Sequence, residues 1–224
     1  MLARTTLLLL GAISVASADD ARAIVEHLRA KAQRIQSLRA EVAIEVAIPS
    51  FKVPRARGVL TIVPPDSISF RSEQLTFVPK AGWQLNPFVL LQRYQFLAFA
   101  ETPLKPGDRF AVLRLFPTPD TGELLAAKIT VDLRDTTITA AQITQRSGGV
   151  VTLELHYGEQ RSFLLPDRIT MHVTMMPIAI PKALTGDLAQ QTPNKQPSSP
   201  EPISGTITIE FLRYTHIERR NFRR

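Results

Sequence analysis

The chain has 224 residues, 44% of them hydrophobic and 21% charged, so it is long enough to bury a core and too apolar to be a disordered chain. It holds no cysteine, which excludes disulfides, thiol catalysis, thiolate metal sites and a lipidated N-terminal cysteine. Basic residues outnumber acidic ones 27 to 20, and the net charge of +7 suits an anionic partner: lipid headgroups, nucleic acid or an acidic protein.

In chain order, Met1 to Thr6 carries one positive charge, Arg4, and Leu7 to Val15 is a short apolar run. Ala16-Ser17-Ala18 then offers small residues at both cleavage-determining positions. These are the three parts of a secretory signal peptide over residues 1–18, with cleavage after Ala18. The run is shorter than the about 20 residues of a membrane span. The other reading is an N-terminal anchor that is retained. Export turns the basic charge away from nucleic acid and toward membranes and envelope polymers.

Asp19 and Asp20 can cap a helix. Ile24, Leu28, Ala32, Ile35 and Leu38 recur at spacings of four and three, which predicts an amphipathic helix of about four turns. The period then switches to two. Ala40, Val42, Ile44, Val46 and Ile48 alternate with more polar residues, the pattern of a long strand with one apolar face, ended by Pro49. Gly58 to Val63 and Ser67 to Glu73 read as further strands about a Pro64-Pro65-Asp66 turn, with Leu60, Ile62, Ile68 and Phe70 inward.

Asn86-Pro87 looks like a helix N-cap followed by proline at the first helical position. The apolar run Phe88 to Phe99 is expected to continue it as a helix inside or across the mouth of a curved sheet. Strands follow at Phe110 to Phe116, Leu125 to Leu133, Thr136 to Gln145, Val150 to Tyr157, Ser162 to Leu165, Arg168 to Met175 and Gly205 to Tyr214. The turns between them include Pro117 to Gly122, Arg134-Asp135, Ser147-Gly148-Gly149 and Gly158-Glu159. Short strands and tight turns predict an antiparallel meander. Pro181 to Pro202 reads as a flexible Pro-rich insert. Residues 19–224 are read as one domain.

Chemistry is thin. His27, His156, His172 and His216 have no ligand spacing, and nucleophile-elbow, phosphate-loop and H-E-x-x-H motifs are absent. Asp132 and Asp135 flank a turn, where aspartate is expected. The sequence thus names no catalytic residue, no metal ligand and no cofactor, and the chain is not expected to be an enzyme. What stands out is apolar side chain. Val42, Ile44, Val46, Leu60, Ile62, Ile68 and Phe70, closed over by Phe88, Leu91 and Phe96, would make a concave apolar site suited to lipid. The same side chains would equally pack on one another as an ordinary core. The basic Arg219 to Arg224 run is either a headgroup contact or a solvated tail.

The order of these parts resembles the periplasmic outer-membrane lipoprotein carrier superfamily, the LolA/LolB-like proteins and their envelope-stress sensor relatives. The resemblance rests on four stretches: Ala32-Gln33-Arg34-Ile35-Gln36-Ser37-Leu38 running into a long strand; Arg57-Gly58-Val59-Leu60-Thr61-Ile62 with Pro64-Pro65; Asn86-Pro87-Phe88-Val89-Leu90-Leu91; and Phe110 to Pro117 through Leu165-Pro166-Asp167-Arg168-Ile169. It covers most of the chain as a pattern of element order. Glu73 to Trp83 lacks the Asp-Gly pair of the carriers' hairpin. The resemblance implies a mainly β fold with some α: a half-open antiparallel β-barrel with an N-terminal helix and a helical lid on its concave side. It implies a periplasmic protein that binds a lipid or the acyl chain of a lipoprotein. A partner protein of the inner or outer membrane, or an anionic membrane surface, would complete the transfer. The alternative within the same fold is a regulatory module that docks on an envelope protein.

Overall fold

The computed structural model describes residues 16–48, 51–65, 67–73, 85–119, 122–147, 149–175 and 203–219. Met1 to Val15 of the expected signal segment, Pro49, Gln74 to Gln84, Pro181 to Pro202 and Arg220 to Arg224 lie outside the described residues.

Helix α1 (Ala16–Gln33) buries Ala21, Val25, Leu28 and Ala32, a stripe at spacings of four and three. The helix starts earlier than expected, so Asp19 and Asp20 sit in its first turns rather than ahead of it. It also ends earlier. Ile35 and Leu38, expected as its last apolar turn, belong to β1 (Ile35–Ile48). Both are core residues all the same, because the two periods hand over to the same buried side.

Strand β1 points Leu38, Ala40, Val42 and Ile44 inward. It pairs with β2 (Phe51–Val63), which pairs with β3 (Ser67–Arg71). Gly58 of β2 is required by packing. A β-carbon there would overlap the Phe70 ring and the Arg71 carbonyl oxygen, so the aromatic ring of β3 fills the space over the glycine.

The next described elements are helix α2 (Pro87–Arg93) and β4 (Gln95–Ala100). The single helix expected over Phe88 to Phe99 is therefore half helix and half strand. Tyr94 is already extended, at φ −115° and ψ 151°. Gln95 to Ala100 then pairs with β5 (Phe110–Thr118), from Gln95↔Thr118 to Ala100↔Leu113. Both faces of β4 are apolar, which hides a period of two in the sequence. Its aromatic residues favour a pleated surface.

The meander continues through β6 (Leu124–Asp132), β7 (Thr137–Gln145), β8 (Val150–His156), β9 (Arg168–Met175) and β10 (Ile203–Arg219). Two expectations are corrected here. Strand β5 runs through Pro117, expected as a turn. The ladder to β6 stops at Leu115, so the missing proline N–H falls beyond it. Ser162 to Leu165 is not a strand. Glu159–Phe163 is a 3-10 turn ended by Leu164 at φ 57°, whose N–H bonds back to the Arg161 carbonyl at 3.1 Å.

Among the described residues the ten strands form one antiparallel sheet, in the order β3-β2-β1-β10-β9-β8-β7-β6-β5-β4. The last strand is inserted between β1 and β9, so both halves of the sheet hang on it. Its pairing with β1 runs from Ile35↔Arg219 to Ala47↔Thr206 with three register shifts. Such bulges add twist and bend, which curls the sheet. The sheet is not closed, because β3 and β4 are its two ends. Helix α1 packs against β4 and α2, and one hydrophobic core joins both helices to the inward side of the sheet. No helix among the described residues is long and apolar enough to cross a membrane.

Candidate functional site

Helix α2 is short and anchored at its start. Asn86 is extended and its Oδ1 accepts the Phe88 N–H at 3.0 Å, while its carbonyl accepts the Val89 and Leu90 N–H groups at 2.9 and 3.0 Å. Pro87 supplies a helical φ where no N–H is needed. The expected cap and proline are thus in place. Pro87, Phe88, Val89, Leu90 and Leu91 are all buried, an unusually apolar load for two turns.

Beneath α2 lies a cavity of about 10 Å³. Pro87, Leu90 and Leu91 cover it, Phe96 of β4 and Leu115 of β5 wall it, and its floor is Ala127, Ile129, Ile138, Ala141 and Ile143 of β6 and β7. Its lining residues are all apolar. That volume is about what one water needs, and a site with no polar partner stays dry. As it stands the cavity has no room for an acyl chain.

The ten side chains expected to line a site all join the core. Val42, Ile44, Leu60, Ile62, Ile68, Phe88 and Leu91 are buried, and Val46, Phe70 and Phe96 pack against them half-buried. Of these ten, Leu91 and Phe96 line the cavity. The floor residues of β6 and β7 were missed. The register explains them: Ile129 pairs with Ala141, and Ala127 with Ile143, so small residues face large ones under α2, a match that the one-sided pattern of each strand alone does not carry.

Polar bonds tie the helices to their surroundings. Gln92 of α2 donates from Nε2 to the Ala32 carbonyl at 2.8 Å, one of the carbonyls α1 leaves unpaired at its end. Lys31 donates to the Asp135 carbonyl and to the Thr136 carbonyl, the latter at 3.1 Å, fastening α1 to the β6–β7 turn. Desolvation lowers the Lys31 ammonium pKa from its usual value, with Asp135 opposing. At the same end Asp132 accepts from the Arg134 guanidinium at 3.1 Å and from Arg109 at 3.3 Å. The hydrogen bonds from Arg134, first among the causes, hold the Asp132 carboxyl at about 2.

These groups are fasteners at the rim, away from the apolar lining. His172 Nδ1 lies 3.2 Å from the Thr206 hydroxyl across β9 and β10. Among the described residues no three His, Asp or Glu side chains are grouped to hold a metal ion.

No protein-family model matches the chain, and no curated protein matches it. Solved structures do. A domain described as an outer membrane lipoprotein-sorting protein, from Vibrio parahaemolyticus, superposes at TM-score 0.54, covering 92% of this chain and 95% of that one at 9% identity. A DUF1329 family protein from Desulfovibrio piger gives 0.51 over 91% and 93%, at 7% identity. A LolA superfamily protein from Nitrosomonas europaea covers 91% and 94% at 13% identity, with a TM-score of 0.46. The chain shares the fold of the Vibrio parahaemolyticus and Desulfovibrio piger structures. At these identities the likeness shows the fold alone.

Proposed function

We propose that the protein is a periplasmic carrier that binds a lipid, or the acyl chain of a lipoprotein, under α2. The observation that carries this is the pairing of a seven-residue helix loaded with buried apolar side chains and a wholly apolar cavity beneath it. Protein cores hold few voids, and this one gathers under one short helix, so α2 is the element whose movement would enlarge it. In this reading α2 is the lid over the site.

The energetics favour exchange. Each buried methylene contributes about 0.8 kcal/mol, so an acyl chain that enters replaces the contacts α2 gives up when it lifts. Opening without cargo would expose Phe88, Leu90 and Leu91, which keeps the empty form shut. The residues named along β1 to β3 border the same core and are the surface onto which a longer chain would extend. The fold shared with a lipoprotein-sorting domain supports the reading. So do the signal-like residues 1–18, which would send the mature chain to the periplasm. No catalytic step is assigned.

Native mass spectrometry of protein purified from the envelope, with lipid extraction of the same sample, tests it. A bound acyl-containing mass is expected. An apo mass, together with no uptake of fluorescent fatty-acyl probes, contradicts it.

A further inference from the structure

The outer face of β4 and β5 carries apolar side chains that the core does not use. Leu97, Phe99, Phe110 and Phe116 are 56, 49, 45 and 42% exposed. Strand pairing sets them on one side: Leu97 faces Phe116, Phe99 faces Arg114, and Arg114 faces Lys128. The Phe99 and Phe116 rings meet edge to face, 6.2 Å between centroids. Single exposed apolar residues are ordinary on a soluble protein, but four on two neighbouring strands make a patch.

The charges threaded through the patch have a sign. Glu101 is shared by Arg114 at 2.8 Å and Lys128 at 3.0 Å. Asp132 is shared by Arg109 at 3.3 Å and Arg134 at 3.1 Å. Each carboxylate answers two cations, so each trio keeps a surplus positive charge beside an exposed phenylalanine. The Arg109 guanidinium also lies 4.7 Å over the Phe110 ring. Aromatic and leucine side chains flanked by surplus cations fit a surface that is apolar within and anionic at its skin.

We propose that this face docks the protein on an anionic lipid bilayer. It deepens the carrier reading and rests on it for its purpose. Along β4 the residues alternate: Phe96 walls the cavity on the inside and Leu97 next to it stands in the patch on the outside. The same strand follows α2 directly. A docked bilayer would therefore lie against the far side of the cavity's own wall, and because β4 is an end strand of the sheet, an acyl chain would round that edge to reach α2.

The test is co-sedimentation of the purified protein, without any acyl probe, with vesicles of phosphatidylglycerol and phosphatidylethanolamine, and with phosphatidylcholine vesicles. Binding to the anionic vesicles is expected, weaker in added salt and weaker on phosphatidylcholine. Phe99→Ser with Phe116→Ser should lower the partition coefficient by about tenfold, with far-UV circular dichroism unchanged. Arg55→Gln with Arg168→Gln removes the same number of cations as Arg114→Gln with Lys128→Gln, but from a distant part of the sheet. The first pair should leave binding in place and the second should weaken it. Wild-type protein that stays in the supernatant at low salt overturns the proposal. So does binding that survives the phenylalanine substitutions, or that the Arg55/Arg168 and Arg114/Lys128 substitutions weaken equally. Failure of the carrier reading would appear instead as absent acyl-probe uptake, which this assay does not read.

Discussion

Phe88 is 2% exposed in the first turn of α2. Phe88→Ala should cost about 3–5 kcal/mol in urea unfolding, the usual range for a buried aromatic truncated in a core. Gly58 makes the opposite kind of demand. Gly58→Val would drive a side chain into the Phe70 ring, and it should cost at least about 2 kcal/mol in the same assay. Asp132 gives a pH signature. Its folded carboxyl sits at about 2, below an ordinary aspartate at about 3.9. The ion pairs therefore add stability that is complete above the ordinary value and lost as pH falls toward the folded one. Asp132→Asn should flatten the acid side of the stability profile between those two values and leave its neutral shape unchanged. An unchanged acid limb in the variant would contradict the assignment.

Helix α2 shows what the sequence can and cannot reveal about an element. Its start was legible because Asn86-Pro87 is a local signal, read by one turn of backbone. Its end was not. Phe96 to Ala100 is apolar on both faces of β4, so neither a period of 3.6 nor one of two stands out, and pairing with β5 decides. The end of α1 was obscured for a related reason: Ile35 and Leu38 keep the helical spacing while serving as strand residues. The 3-10 turn at Glu159–Phe163 is set by backbone bonds that carry no side-chain pattern. The latch between the helices is a prediction at this scale. Gln92→Ala removes the bond to the Ala32 carbonyl, worth about 1 kcal/mol, and should speed hydrogen exchange of the α2 amides by about fivefold. Exchange at wild-type rates would show that the bond does not restrain α2.

At the scale of the molecule, the antiparallel meander was legible because turns and one-sided strands are local. The insertion of β10 between β1 and β9 was not, since it joins the two ends of the chain and leaves no mark in either. This also explains the candidate site. The sequence pointed to the inward faces of β1 to β3, the cleanest alternating patterns, and those faces are indeed core. The void lies farther round the sheet, where alanines of β6 and β7 leave space that only the placement of α2 turns into a cavity. The central claim is that this space opens to take an acyl chain. Fluorescence titration of the purified protein with a fatty-acyl probe, beside an Ala141→Val variant that fills the floor, tests it most directly. The account predicts saturable binding by the wild type and its loss in a variant that still folds by circular dichroism. Equal binding by both, or no saturable binding by the wild type, would contradict it.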